Sequence, residues 1–242
     1  MTESKISKRI DVLIPAYNEE ASLPLVLAAI PKVWVRQVIV CNNGSTDRTA
    51  EVARKAGAIV VDAPQRGYGS ACLAGLDYLK ALPETEQAEI LGFLDGVYSD
   101  YPDELPNVAA PVLNGEYDLV IGSRLLGNPE RGAMSLPQRF GNWLAPLLIH
   151  RLYGYQFTDL GPFRAICWDK LLELDMRDPN YGWTVEMQIK AAQHRLRCTE
   201  VPVRYRKRAG GKSKVSGTLK GVVLAGWKIV SLIFLLLFKT QK

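Results

Sequence analysis

Ile10-Asp11-Val12-Leu13-Ile14-Pro15-Ala16-Tyr17-Asn18-Glu19 is the stretch that decides the fold. Ile10 to Ile14 is a short apolar run stopped by a proline, the pattern of a buried strand, and polar residues follow at once. The unit then repeats. Gln37 to Cys41 predicts a strand followed by Asn42-Asn43-Gly44-Ser45-Thr46-Asp47. Ile90 to Leu94 leads into Asp95-Gly96-Val97-Tyr98-Ser99-Asp100, and Asp118 to Ile121 into Gly122-Ser123-Arg124. Ala58 to Val61 predicts one more strand. Helical spacing fills the intervals Glu20 to Ile30, Asp47 to Ala56, Gly69 to Leu82 and Asp103 to Asn114. This alternation predicts an α/β fold with a mostly parallel sheet and helices on both faces. Such sheets bind ligands beyond the carboxyl ends of their strands, where the polar clusters fall.

The 242 residues carry 30 Lys and Arg against 25 Asp and Glu, a net charge of +5. With 48% hydrophobic and 23% charged residues, the balance is that of a globular chain, which excludes wholesale disorder and a collagen-like repeat. Cys41, Cys72, Cys167 and Cys198 include no CxxC pair, so a reduced cytosolic setting is expected and a zinc site is not. Two histidines are too few for a His-built metal centre. Met1 to Ile10 is polar and basic, without the apolar core of a signal peptide. Gly221 to Phe238 is apolar apart from Lys228 and is flanked by lysines. That predicts an apolar C-terminal helix meeting an anionic membrane surface, with packing on the body as the alternative.

After residue 125 the alternation stops. Gly182 to His194 has helical spacing, and Cys198 to Val203 reads as a strand. Arg204 to Lys214 is strongly basic, with Gly210-Gly211 inside it. It has few interleaved aromatics, so nucleic acid is not the expected partner. No GxxxxGK[ST] loop and no GxGxxG after the first strand disfavour a P-loop ATPase or a dinucleotide dehydrogenase. No GxSxG elbow points to a hydrolase triad.

Ile14 to Glu20, Asn43 to Thr49 and Phe93 to Gly96, in that order and each at a strand end, resemble the family 2 glycosyltransferases. The branch they look most like is the dolichyl- or polyprenyl-phosphate sugar synthases. The likeness runs from about Ile10 to Lys214. It implies a GT-A fold over 1–214, with 215–242 as a basic and apolar membrane-associating helix. It also implies inverting transfer of a sugar from a nucleoside diphosphate-sugar to a polyprenyl phosphate. The expected place is the cytoplasmic side of a membrane, peripheral or monotopic.

The residues fit that chemistry. Tyr17 can stack on a base, Glu19 can accept from a ribose hydroxyl or base N–H, and Pro15 backbone can line the slot. The resemblance adds Arg66 to the nucleotide site. Where the family has Asp-Asp-Gly-Ser, this chain has Asn42-Asn43; the Asn43 amide oxygen can still accept a base N–H. Arg124 and Arg139 match the family's acceptor-phosphate arginines, whose forks suit phosphate. Arg164 is a third candidate. Asp159 and Glu186 are the carboxylates expected to face the site, with a Glu186–Lys190 surface pair as the alternative for Glu186. The resemblance assigns Arg208, Ser213 and Lys214 to a loop over the diphosphate.

The family's Asp-x-Asp metal motif aligns to Asp95-Gly96-Val97. Val97 offers no oxygen to Mg²⁺ or Mn²⁺. Three arrangements stay open: Asp95 holds the metal with the diphosphate and water, cations such as Arg208 or Lys214 replace it, or the protein is a weakened or inactive relative that binds nucleotide or lipid without transfer. A further alternative is a soluble transferase with a hydroxyl acceptor.

Overall fold

β1 (Ile10–Ala16) is buried along its whole length and pairs in parallel with β2 (Val35–Asn42) on one side and β4 (Ile90–Phe93) on the other. The computed structural model describes residues 10–209 and 219–239. β3 (Ile59–Asp62) adds to β2, and β5 (Leu119–Ser123) and β7 (Cys198–Pro202) pair in parallel at the far edge. The sheet has seven strands in the order β3-β2-β1-β4-β6-β5-β7.

The mostly parallel sheet expected from the alternation is a mixed one. β6 (Arg164–Cys167) runs antiparallel to both β4 and β5. Its four residues begin with an arginine and are too few to show a strand period, so no strand was expected there. The antiparallel sense has a consequence: Arg164, the first residue of β6, lies beside Phe93 and Ile121, near the carboxyl ends of β4 and β5.

Successive strand residues face opposite sides, which separates two cores. Leu13, Ile39, Phe93 and Ile121 pack under α3 (Tyr68–Lys80), α5 (Leu136–Tyr153) and α7 (Trp183–Gln193). Val12, Ile14, Val40 and Val120 pack with α1 (Leu23–Ala29) and α4 (Leu105–Leu113). α2 (Thr49–Lys55) lies beside α1, and α6 (Trp168–Glu173) follows β6 directly.

The C-terminal segment corrects a second expectation. It forms α8 (Leu219–Lys239), but among the described residues no helix is long and apolar enough to cross a membrane. One face of it is spent on the protein: Leu232, Ile233 and Leu236 are buried in the α3/α5/α7 core, while Trp227, Phe234 and Leu235 stay exposed. The Tyr153 hydroxyl donates to the Ile233 carbonyl at 2.6 Å, Gln193 Nε2 donates to the Leu236 carbonyl at 3.0 Å, and Lys228 pairs with the buried Asp178 at 2.9 Å. The Trp143 to Ile149 stretch of α5 is divided: Ile149 is fully buried and Trp143 is exposed.

Because Ile233 completes a core rather than facing lipid, Ile233→Ala is expected to cost about 2–4 kcal/mol. Denaturant unfolding checks this; an unchanged midpoint would contradict the docking.

Candidate active site

The loops after β1, β2, β4 and β5, with the start of α3, enclose a cleft of about 780 Å³ at the carboxyl edge of the sheet. Pro15, Tyr17, Glu19, Asn43, Arg66, Asp95, Arg124 and Arg208 all line it. Eight of the expected site residues thus converge from parts of the chain that are far apart in sequence.

The first two motifs interlock. The Asn18 N–H donates to Ser45 Oγ at 3.0 Å, and Asn18 Oδ1 accepts from the Thr46 N–H at 2.8 Å. The Glu19 N–H donates to Thr49 Oγ1 at 2.8 Å, and the Glu20 N–H to Asp47 Oδ2 at 3.2 Å. The polar residues of 43–49 therefore serve chiefly to satisfy the backbone of 18–20. Asn18 takes a positive φ of 53°, a conformation that asparagine tolerates better than most residues.

Asn43 departs from its expected role in part. Its Oδ1 accepts from the Gly67 N–H at 3.0 Å and its Nδ2 donates to the Gly67 carbonyl. The amide clamps the entry to α3, leaving one lone pair of Oδ1 for a ligand. α3 itself is pressed against the loop before α7. Ser70 N–H donates to the Pro179 carbonyl at 2.8 Å, and a Cβ at Gly69 would overlap the Asp178 carbonyl. The Arg66 guanidinium lies 4.9 Å from the centroid of the Tyr17 ring, which builds a flat, cationic wall.

The floor is charged. Arg124 follows β5 and is buried with Asp159. Arg124 Nε donates to Asp159 Oδ2 at 2.7 Å and Nη2 to Oδ1 at 2.5 Å, while the Arg124 N–H reaches Oδ2 at 2.8 Å. Asn142 Nδ2 adds a further bond to Asp159 at 2.8 Å. Burial works against both charges. Their mutual attraction outweighs it, holding Arg124 above its usual range and Asp159 below its own. Asp159 is thus an orienter of Arg124.

Burial also raises Asp95, with Glu19 adding to the effect, against Arg124, the Tyr68 hydroxyl and Arg208. Glu19 accepts from the Ser22 hydroxyl at 2.7 Å and pairs with Arg208 at 3.4 Å, so the basic stretch after β7 reaches the cleft.

Four expected residues do not line the cleft, the buried Asp159 beside Arg124 among them. Arg139 is exposed on α5, and its neighbour Gln138 lines the cleft instead. The capping box of α5 fixes that phase: Ser135 N–H donates to Gln138 Oε1 at 2.8 Å. Arg164 is buried behind the cleft, donating to the carbonyls of Gly161 and of Thr184, the latter at 3.2 Å; burial lowers its pKa to about 10. Glu186 is buried away from the cleft. It accepts from the N–H groups of Arg177 and Asp178, the latter at 2.7 Å, and pairs with Lys190 at 2.8 Å, the i,i+4 alternative. Ser213 and Lys214 lie outside the described residues. Tyr68, Tyr181, Tyr205 and Lys207 line the cleft without having been expected there. Gly67-Tyr68-Gly69 carried a signal as a GxG.

Asp100 is the anomaly. It is 3% exposed, and neither carboxylate oxygen has a hydrogen-bond partner. Burial, reinforced by the charge of Asp95, raises its pKa from an ordinary 3.8 to about 7. A carboxyl raised in the folded state leaves the unfolded chain to ionise first, so stability is lost as pH climbs from about 4 to 7. Removing the charge should remove that loss. Asp100→Asn is expected to raise Tm at pH 8 in EDTA by at least about 2 °C, the equivalent of at least roughly 0.5 kcal/mol, with a smaller gain at pH 4. An equal or larger gain at pH 4 would contradict this.

The family model described as glycosyl transferase family 2 matches residues 11–173. An uncharacterized glycosyltransferase of Mycobacterium bovis is 37% identical over 227 residues, covering 92% of this chain and 98% of that one. A dolichyl-phosphate hexose transferase of Haloferax volcanii is 32% identical over 203 residues, covering 82% and 83%. Among solved structures, glucosyl-3-phosphoglycerate synthase from Mycobacterium tuberculosis in complex with Mn²⁺, uridine diphosphate and glucosyl-3-phosphoglycerate superposes with a TM-score of 0.73 at 23% identity, over 98% of this chain and 84% of that one. Another complex of that synthase holds Mn²⁺, uridine diphosphate-glucose and phosphoglyceric acid. That likeness is one of fold. It corrects the expected acceptor: a protein of this fold is found with phosphoglyceric acid, which has no prenyl chain, and no helix among the described residues is long and apolar enough to cross a membrane. The family match, which spans most of the sheet and four of the cleft-forming loops, makes a nucleotide-binding relative without transfer the poorer description. The chain belongs to glycosyl transferase family 2 and is a glycosyltransferase.

Proposed function

We propose that this chain transfers a hexose from a uridine diphosphate-sugar to a small acceptor bearing a phosphate group, with Mg²⁺ or Mn²⁺ beside the donor diphosphate. The observation that carries this is the convergence of Tyr17, Asp95, Arg124 and Arg208 on one cleft. The wall formed by Tyr17 and Arg66 suits a planar base. The solved complexes above, with their UDP-glucose and phosphoglyceric acid, support the donor and the acceptor class.

Arg124 has the geometry to hold an anion. Asp159 occupies Nε and Nη2, which leaves Nη1 for phosphate, and the pair fixes the guanidinium in advance. Arg208, paired with Glu19, and Lys207 balance charge as the bond between the anomeric carbon and the diphosphate breaks. An acceptor hydroxyl oxygen forms the new bond to that carbon, and its proton passes to the departing diphosphate or to solvent. The unpartnered oxygens of Asp100, close enough to Asp95 to sense its charge, show a donor set that fits a hard divalent cation. Such a cation, when bound, would neutralise the leaving diphosphate, with Asp95 as its protein anchor.

The test is release of UDP from UDP-glucose and other UDP-hexoses in Mn²⁺, with 3-phosphoglycerate and other small phosphorylated alcohols as acceptors. Acceptor-dependent release is expected. No release with any of them, or turnover confined to polyprenyl phosphate in detergent, would overturn the proposal. Asp95→Asn is expected to lower kcat/KM at least about 100-fold. Glu186→Gln, which loosens the 177–178 loop, is expected to lower Tm while kcat/KM stays within about tenfold. Reversed effects in these two variants would show the carboxylates misassigned.

A further inference from the structure

The loop after β4 reads Asp95-Gly96-Val97-Tyr98-Ser99-Asp100, and its third position, partly exposed in the cleft, is a valine with no oxygen to offer. We propose that Asp100 is the second protein carboxylate of a divalent-cation site in this cleft, supplying the oxygen that Val97 lacks. The inference rests on the nucleotide-sugar reading above.

Two observations carry it. The first is the state of the Asp100 side chain. Buried carboxylates are ordinarily satisfied by donors. Among the described residues, no other buried carboxylate has both oxygens without a partner. The cations nearby are committed elsewhere. Arg124 gives three bonds to Asp159. Arg206 donates to the backbone carbonyls of Tyr98, at 2.9 Å, and Asp100, at 3.3 Å. The neighbouring charges are Asp95, Asp159 and Glu104 against Arg124, so the surroundings are short of positive charge.

The second is the way the loop is held. Tyr98 takes a positive φ of 57°, which is costly for an aromatic residue and reverses the chain after Val97. The strap after β7 maintains that turn from outside. The Arg206 guanidinium lies 3.6 Å from the Tyr98 ring centroid and 4.0 Å from that of Tyr101. The Arg206 N–H donates to the Ser99 carbonyl at 2.9 Å, and Asp100 forms an antiparallel bridge with Tyr205. A strained turn, clamped at several points, thus keeps an unneutralised carboxylate buried. Strain of this kind persists where the surrounding structure over-determines it, at functional sites above all.

The donor chemistry agrees. Mg²⁺ and Mn²⁺ take hard oxygen ligands, and such ions commonly bind through one or two carboxylates with substrate phosphates and water completing the shell. Among the described residues there is no cluster of three or more acidic, His or Cys side chains able to hold an ion without help. Two carboxylates, completed by a diphosphate, make a site that is weak until the nucleotide arrives.

Mn²⁺ binding, read by the loss of the free-ion EPR signal, tests this with UDP saturating and with UDP absent. Wild type should bind Mn²⁺ at least about tenfold more tightly with UDP. Asp100→Asn should lower Mn²⁺ affinity in the UDP complex at least about tenfold, while UDP affinity in EDTA changes less than about threefold. Asp100→Asn that binds Mn²⁺ with UDP as well as wild type does would overturn the inference and leave the nucleotide reading standing. Wild type that binds no UDP would overturn both. Val97→Asp gives a check that does not depend on the asparagine variant folding. If Asp100 already serves, adding a carboxylate at 97 should change Mn²⁺ affinity less than about threefold; a gain of tenfold or more would show that the second ligand was missing.

Discussion

A buried arginine can stay charged at the end of a sheet only if its charge is answered close by, and the floor of this cleft is built around that requirement. Arg124 and Asp159 meet through three hydrogen bonds, and both are almost wholly buried. A pair this deep is retained for position rather than for stability, because desolvation consumes most of its attraction. Other groups then hold Asp159 in turn. Asn142 of α5 donates to its carboxylate, Gln188 of α7 to its carbonyl, and its own N–H donates to Glu200 of β7. Three elements are thereby tied to one residue, and the guanidinium cannot turn away from the cleft without breaking its own bonds to the Asp159 carboxylate.

The opposite wall is made by loops that satisfy one another. Asn18 and Glu19 depend on Ser45, Thr46 and Thr49, and Asn43 depends on Gly67. The strap from Val203 to Arg208 closes the arrangement by crossing the loop after β4 and ending against Glu19. Arg204 binds Asp103 and Glu104, Arg206 binds Tyr98 and Asp100, and Arg208 binds Glu19. Alternate basic residues of one short segment therefore fasten three separate acidic or aromatic neighbourhoods. A stretch that reads as a strongly basic run is, as far as Arg208, a structural clamp.

Much of this was legible because strand ends announce themselves. Short apolar runs followed at once by polar clusters located five parallel strands and, with them, Tyr17, Asn43, Asp95 and Arg124. What escaped was set by packing. β6 is four residues long and begins with Arg164, so neither length nor period betrayed it. Glu186 has the spacing of a site carboxylate and of a surface pair alike; only its bonds to the Arg177 and Asp178 backbone show which it is. Arg139 and Gln138 are adjacent on one helix, and the phase that puts glutamine into the cleft depends on where α5 begins. The apolar C-terminal run was equally compatible with lipid and with a protein groove. Leu232, Ile233 and Leu236 fill the groove between α5 and α7.

The central claim is that loops at the carboxyl edge of the sheet form one site for a nucleoside diphosphate with a divalent cation. Calorimetric titration of the full chain with UDP, with and without Mn²⁺, tests it most directly. The account predicts saturable UDP binding that Mn²⁺ strengthens by at least about tenfold, or 1.4 kcal/mol. UDP binding that is absent, or the same with and without Mn²⁺, would contradict it.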